Sequence, residues 1–72
     1  MSTLGERLRI LRKAHNLKRE DLAASIGLTP RVITFYETND REPSLKVLLA
    51  LADFFDVSLD YLVGRSDNPR RN

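Results

Sequence analysis

The sequence predicts an all-α fold, a compact bundle of five helices. Apolar residues recur at helical spacing, capping and helix-ending residues separate five apolar segments, and no segment has the pattern of a strand. At 72 residues, with 42% apolar and 31% charged residues, the chain has the composition of one small globular domain. We expect residues 1–64 to form this domain and residues 65–72 to be a flexible polar tail.

The first two helices are marked by residues that favour helix ends. Thr3 and Glu6 are spaced as a capping box before the first helix, and Asn16, which tolerates a left-handed conformation, is expected to end it. The second helix is expected over residues 19–26. Gly27 follows it and can supply the positive φ of a tight turn.

The third helix has an unusual outer face. Thr29 can cap it, and Pro30 suits its first position, where a missing N–H costs nothing. At about 100° per residue, one side of this helix is apolar and the other carries a cation, a hydroxyl and a phenyl ring. The apolar side gathers Val32, Ile33 and Tyr36, and the outer side gathers Pro30, Arg31, Thr34 and Phe35.

The last two helices follow a loop of turn-forming residues, TNDREPS. Ser44 is expected to cap the fourth helix, over residues 45–55. Ser58 is expected to cap a short fifth helix that Gly64 ends. Together the helices and the turn at residue 28 predict a core of Leu4, Leu8, Leu11, Leu22, Ala23, Ile26, Leu28, Ile33, Tyr36, Leu45, Leu48, Leu51, Ala52 and Phe55.

Residues 19–38, REDLAASIGLTPRVITFYET, have the pattern of two short helices that meet at a glycine-containing turn, the helix-turn-helix unit. Over residues 4–64 the chain resembles the phage-repressor helix-turn-helix family, also called the Cro/cI-type or XRE family. The segments LGERLRILRKAHNL and EPSLKVLLALADFFDVSLDYLVG are similar to its first helix and to its fourth and fifth helices. The resemblance implies a lambda-repressor-like DNA-binding fold, with the third helix in the major groove of double-stranded DNA.

The resemblance also implies which residues contact bases. Pro30, Arg31 and Phe35 match positions that face base edges, and Thr34 lies between them. Arg31 could bind guanine through O6 and N7, and Phe35 could pack against a thymine methyl group. The alternative for Phe35 is packing beneath the TNDREPS loop or against a partner.

Phosphate contacts are implied on both sides of the third helix. Arg19 matches a position that usually carries a phosphate-binding glutamine, and Lys18 lies where relatives tend to have a capping Ser or Thr. The alternative is a surface Lys-Arg pair with a poor helix cap. Asp40 and Glu42 depart from the basic loop of relatives and weaken the expected grip on DNA. The expected phosphate contacts are Lys18, Arg19, Thr29, Thr38, Asn39 and Arg41.

The family commonly joins an arginine of the first helix to a glutamate that closes the third. Arg12 and Glu37 match these positions, and the resemblance therefore implies a structural ion pair between them.

Charge is distributed unevenly along the chain, whose net charge is +2. Residues 1–20 hold six cations and two acids, whereas residues 37–60 hold two cations and six acids. Such a dipolar domain can present a positive side to a polyanion without being strongly basic overall. The alternative is a set of ordinary solvated helix faces.

Together these features predict a sequence-specific DNA-binding transcriptional regulator, a repressor more than an activator, that binds a palindromic operator as a homodimer. The predicted dimer surface comes from the fourth and fifth helices: Leu49, Phe54, Tyr61 and Val63. The alternative is a protein-interaction module, such as a toxin-neutralising antitoxin or a co-regulator, with weak DNA binding. An anti-repressor or a toxin is then a possible protein partner.

Several other classes are not expected. The chain has no cysteine, which rules out a disulfide framework and a thiolate metal site. Its one histidine, His15, ends the first helix, and no nucleophile has an evident base. We therefore expect no catalytic residues, no metal and no cofactor. No apolar run is long enough for a signal peptide or a membrane span, so the cytoplasm is the expected location and no membrane partner is expected.

Overall fold

The order of the helices follows the sequence prediction. The computed structural model describes residues 3–71, and that part of the chain contains five helices and no strand. Helices α2 and α3 pack directly on each other, α1 packs on α3 and α5, and α4 packs on α5 and α2. The all-α class is therefore confirmed. The helices are α1 (Leu4–Ala14), α2 (Arg19–Ile26), α3 (Pro30–Glu37), α4 (Leu45–Phe55) and α5 (Leu59–Leu62).

Hydroxyl side chains begin four of these helices. Before α1, the Thr3 Oγ1 accepts a hydrogen bond from the Glu6 N–H at 3.2 Å, and the Glu6 carboxylate accepts one from the Thr3 N–H, which completes the predicted capping box. Thr29, Ser44 and Ser58 each accept a backbone N–H three residues later. Each cap satisfies a donor that the helix itself cannot pair.

Helices α1 and α3 are each followed, two residues after their last residue, by an asparagine in the left-handed region, Asn16 at φ 55° and Asn39 at φ 62°. After α3, the Asn39 N–H donates to the Tyr36 carbonyl at 3.2 Å and the Asp40 N–H donates to the Phe35 carbonyl at 2.9 Å. These two bonds define a Schellman turn, which folds the chain back over the last turn of the helix.

The core lies where the five helices meet. Leu45, which the helical spacing places in the core, is instead 64% exposed, so that prediction is wrong. The residue is the first of α4, and the buried positions of this helix all lie in its second half. The buried apolar side chains are Leu8, Leu11, Leu22, Ala23, Ile33, Tyr36, Leu51, Ala52, Phe55, Val57 and Leu62.

A buried cation, Arg7, connects α1 to the end of the chain. Its guanidinium lies 4.1 Å from the ring centroid of Tyr61, and its Nη2 donates to Asp67. Burial lowers the pKa of Arg7, but its interactions with Asp67 and Tyr61 outweigh burial and raise that pKa above its ordinary value. This role was not predicted from the sequence, although Arg7 lies four residues before Leu11, on the core side of α1.

Residues 65–71 lie against α4 and α5. The Ser58 N–H donates to the Pro69 carbonyl at 2.9 Å, and the Arg71 guanidinium lies within salt-bridge distance of Asp53 and Asp56. The division between a domain and a tail stays a prediction. None of the helices described between residues 3 and 71 is long and apolar enough to cross a bilayer.

Helix α1 approaches the end of α3 closely at Gly5. Its N–H donates to the Asn39 Oδ1 at 3.1 Å, and a Cβ at this position would clash with the Glu37 carbonyl oxygen. A side chain at residue 5 would therefore push α1 away from α3.

Gly5→Ala is expected to lower the free energy of unfolding by about 2 kcal/mol, because the methyl group overpacks this contact. In a domain of this size, that change lowers the melting temperature by about 10 °C. Gly27→Ala is the control, because its methyl group meets open space and its φ of +73° adds strain of about 1 kcal/mol. Thermal unfolding compares the two. A melting temperature for Gly5→Ala at or above that of the control would contradict the prediction.

Candidate nucleic-acid interface

The α2–turn–α3 unit is built around a tight turn at Gly27. This glycine adopts a φ of 73°, and the Leu28 N–H donates to the Ala23 carbonyl at 2.8 Å. Ala23 is buried, and its small side chain allows the two helices to approach closely. At the other end of α2, Lys18 occupies the cap position without a side-chain cap, while Asp21 accepts the Lys18 N–H at 3.2 Å.

The structure brings the four expected base-contact residues onto one side of α3. Pro30 and Arg31 are exposed, and Thr34 and Phe35 are half-buried. The Thr34 hydroxyl donates to the Pro30 carbonyl at 3.2 Å, so it can still accept a hydrogen bond from a base. Their contact with DNA bases stays a prediction.

The position of Phe35 combines features of two arrangements that the sequence left open, exposure to DNA bases and packing beneath the loop. Its ring is half-buried, and the guanidinium carbon of Arg41, from the loop after α3, lies 5.0 Å from the ring centroid. The guanidinium carbon of Arg31 lies 5.4 Å from the same centroid. The ring therefore contacts the loop and keeps part of its surface exposed.

A buried carboxylate connects α3 to α1 and α2. Arg12 Nε donates to Glu37 Oε2 at 2.6 Å and Arg12 Nη2 donates to Glu37 Oε1 at 3.2 Å. Arg19 Nε donates to the same Oε1 at 3.2 Å, a contact that the sequence analysis missed. The Glu37 side chain is 2% exposed, whereas that of Arg19 is 41% exposed. One side of Arg19 is therefore held by Glu37 and the other is open to an anion such as phosphate.

In the loop after α3, two of the residues expected to contact phosphate make hydrogen bonds within the protein. The Asn39 side chain accepts from the Gly5 N–H and donates to the Thr3 Oγ1 at 3.1 Å, which ties the loop to the beginning of α1. The Thr38 hydroxyl lies 2.6 Å from the Asp40 carboxylate. Lys18, Arg19 and Arg41 supply the positive charge of the predicted phosphate-contact set, to which the exposed hydroxyl of Thr29 also belongs.

The predicted dimer residues differ in exposure. Leu49 is 46% exposed and Phe54 is 39% exposed, whereas Tyr61 and Val63 are half-buried. Tyr61 also carries the Arg7 guanidinium on its ring. Assembly through these residues stays a prediction.

Carboxylates do not gather into a metal site in the described part of the chain. Across residues 3–71, no three His, Cys, Asp or Glu side chains are grouped so that they could hold an ion. Asp53 and Asp56 instead lie beside Arg71.

Glu37→Gln is expected to cost about 3–5 kcal/mol of folding free energy, because it leaves the buried Arg12 charge without its partner. Glu42→Gln is the matched control, since it removes an exposed carboxylate from the nearby loop and should change stability by less than about 0.5 kcal/mol. Denaturant unfolding measures both variants. Equal stability of the two would show that the buried pair does not hold α3.

Residues 8–62 match the family model described as helix-turn-helix. The chain is 45% identical over 64 residues to the HTH-type transcriptional regulator YobD of Bacillus subtilis. The aligned region covers 89% of this chain and 57% of YobD. The chain is 35% identical over 60 residues to the cryptic phage CTXphi transcriptional repressor RstR of Vibrio cholerae, with 83% and 54% covered. The chain thus spans about half the length of these curated relatives.

Solved structures share the fold. The P22 c2 repressor in complex with synthetic operator 9T matches with a TM-score of 0.85 and 30% identity, over 92% of this chain and 100% of that chain. A transcriptional regulator from Listeria innocua matches with a TM-score of 0.82 and 32% identity, over 86% and 58%. The helix order, the α2–turn–α3 unit and these similarities confirm the expected resemblance: the chain belongs to the helix-turn-helix family of phage-repressor (Cro/cI, XRE) type, a family of DNA-binding transcriptional regulators.

Proposed function

We propose that this domain is a sequence-specific repressor that binds a palindromic operator as a homodimer, with α3 in the major groove. The observation that carries the proposal is the outer face of α3, where the exposed Arg31 lies beside the half-buried Phe35 on a helix held from behind by Glu37. Similarity to a P22 repressor that was solved on operator DNA supports it. The site of action would be the cytoplasm.

Base recognition would depend on few groups. Arg31 can form two hydrogen bonds with guanine O6 and N7, worth about 1–3 kcal/mol against a wrong base. Pro30 and Thr34 can add apolar contacts with thymine methyl groups. The remaining specificity would come from the sequence-dependent shape of the DNA.

Phosphate contacts would hold the domain in place on both sides of α3. Lys18 and Arg19 lie at the beginning of α2, where backbone N–H groups and the helix dipole also favour an anion. Thr29 precedes α3 and Arg41 follows it. Thr38 and Asn39 would contact phosphate only by giving up hydrogen bonds that they make within the protein.

Dimerisation would supply the specificity that one domain lacks, because a single module reads few base pairs. The exposed Leu49 and Phe54 of α4 can bury apolar surface against a second copy, with Tyr61 and Val63 beside them. Two copies related by a two-fold axis would read half-sites about 34 Å apart, one turn of DNA.

A protein partner is the second candidate. Asp40 and Glu42 flank Arg41 in the loop that would approach the phosphate backbone, and two acids there oppose DNA binding. An antitoxin or co-regulator with weak DNA binding would tolerate these acids, and a toxin or an anti-repressor protein would then be the main partner.

Selection of bound DNA from a random library, at two salt concentrations, tests the proposal. We expect a short palindrome with half-sites one helical turn apart. Recovery of no motif, with weak binding that disappears as salt rises, would contradict a sequence-specific repressor and favour the protein partner.

Arg31→Ala is expected to weaken binding to the selected site by about 5-fold to 150-fold, because the guanine contact is lost. Binding to a random duplex should change much less. Arg65→Ala is the control, since it removes the same charge from an exposed position after α5. Titration with both duplexes measures the difference. Equal losses on both would show that Arg31 contacts phosphate instead of a base.

Leu49→Glu is expected to shift the dimer towards the monomer by about tenfold or more in dissociation constant, because a buried carboxylate in an apolar contact is costly. Operator binding should then need a correspondingly higher protein concentration. Ile10→Glu is the control, because Ile10 is similarly exposed, at 53%, but lies on α1. Analytical ultracentrifugation compares the two variants. The same dimer constant in both would exclude Leu49 from the interface.

A further inference from the structure

Two guanidinium groups from different parts of the chain contact the ring of Phe35. The guanidinium carbon of Arg31 lies 5.4 Å from the ring centroid and that of Arg41 lies 5.0 Å from it. An aromatic face attracts cations within about 6 Å of its centroid. Both guanidinium groups lie within that distance, so the one ring attracts two cations.

The backbone explains why both cations reach this ring. Arg31 precedes Phe35 by four residues, so the two side chains are neighbours on one face of α3. The Schellman turn brings the loop back, and the Phe35 carbonyl accepts the N–H of Asp40 at 2.9 Å and that of Arg41 at 3.3 Å. The backbone of Arg41 is therefore hydrogen-bonded to Phe35, the residue whose ring its side chain contacts.

Carboxylates do not compete for these two cations. Among the residues that the structure describes, Arg31 and Arg41 have no salt-bridge partner, although Asp40 and Glu42 flank Arg41 in sequence. The Asp40 carboxylate lies instead against the Thr38 hydroxyl. Both guanidinium groups therefore keep hydrogen-bond donors for an external anion or base.

We propose that Phe35 is a positioning residue that holds Arg31 and Arg41 as one two-cation unit for double-stranded DNA. Arg31 is aimed at a guanine edge and Arg41 at the phosphate beside it. Phe35 then contributes to specificity through the two arginines and not through a thymine methyl group. Long side chains lose rotamer freedom on binding, and the ring reduces that loss because both are already restrained. The inference rests on the proposed DNA-binding function.

Two substitutions distinguish the effect of the aromatic face of Phe35 from the effect of its apolar volume. Phe35→Tyr keeps the aromatic face, and we expect it to bind the selected site within about twofold of the wild type. Phe35→Leu keeps an apolar side chain without that face, and we expect binding to weaken about fivefold to thirtyfold. The effect of Phe35→Leu should shrink in an Arg31→Ala background, since the two residues act together. Melting temperatures of all variants show whether the fold is kept.

A measurement on the wild-type protein alone requires neither DNA nor a variant. The ring should shift the NMR signals of the side-chain methylene protons of Arg31 and Arg41, because both guanidinium groups lie over or beside it. Signals at ordinary positions for both arginines would overturn the arrangement.

Replacement of thymine by deoxyuridine in the selected site removes the methyl group that a direct contact would need. If the ring reads a methyl group, one such replacement weakens the wild type and has a smaller effect on Phe35→Leu. That result, or equal binding by Phe35→Leu and the wild type, would overturn the inference while leaving sequence-specific binding intact. A wild type that selects no sequence would instead remove the proposed function and this inference with it.

Discussion

The orientation of α3 depends on one buried carboxylate. Glu37, the last residue of the helix, accepts hydrogen bonds from Arg12 of α1 and Arg19 of α2, so one side chain connects three helices. Arg12 also donates to the Leu17 carbonyl at 2.9 Å, which fixes the connection between α1 and α2. Moving Glu37 would leave charges unpaired away from water, and this cost resists displacement of the helix. The contacts of Glu37 with α1 and α2 therefore determine which face of α3 is directed outward.

The helix boundaries could be predicted because polar residues mark them. Thr29, Ser44 and Ser58 accept backbone hydrogen bonds at the predicted positions, and Asn16 adopts the left-handed conformation expected of it. The exposed Leu45 shows the limit of this reasoning. Helical spacing places it in line with the apolar side of α4, but spacing does not show how far along the helix the neighbouring helices extend.

Pairings that depend on the path of the chain outside the helices could not be predicted from periodicity. The sequence places Arg31 and Phe35 on one face of α3, but only the path of the following turn brings Arg41 to the same ring. Arg7 lies on the core side of α1, yet its partner Asp67 is 60 residues away. The residue types of the candidate interface were therefore readable from the sequence, whereas the contacts among them depend on tertiary geometry.

The ties that orient α3 lie within residues 5–39. Arg12 and Glu37 are 25 residues apart, and Gly5 and Asn39 are 34 apart. Closing loops of this length costs conformational entropy, which the packing of the helices must outweigh. Helix α4 packs on α2 and buries Leu51, Ala52 and Phe55, so the first three helices cover their shared apolar side only when α4 is in place. The half of the chain that carries the candidate interface therefore depends on the other half for its stability, and we expect the two halves to unfold in one cooperative step.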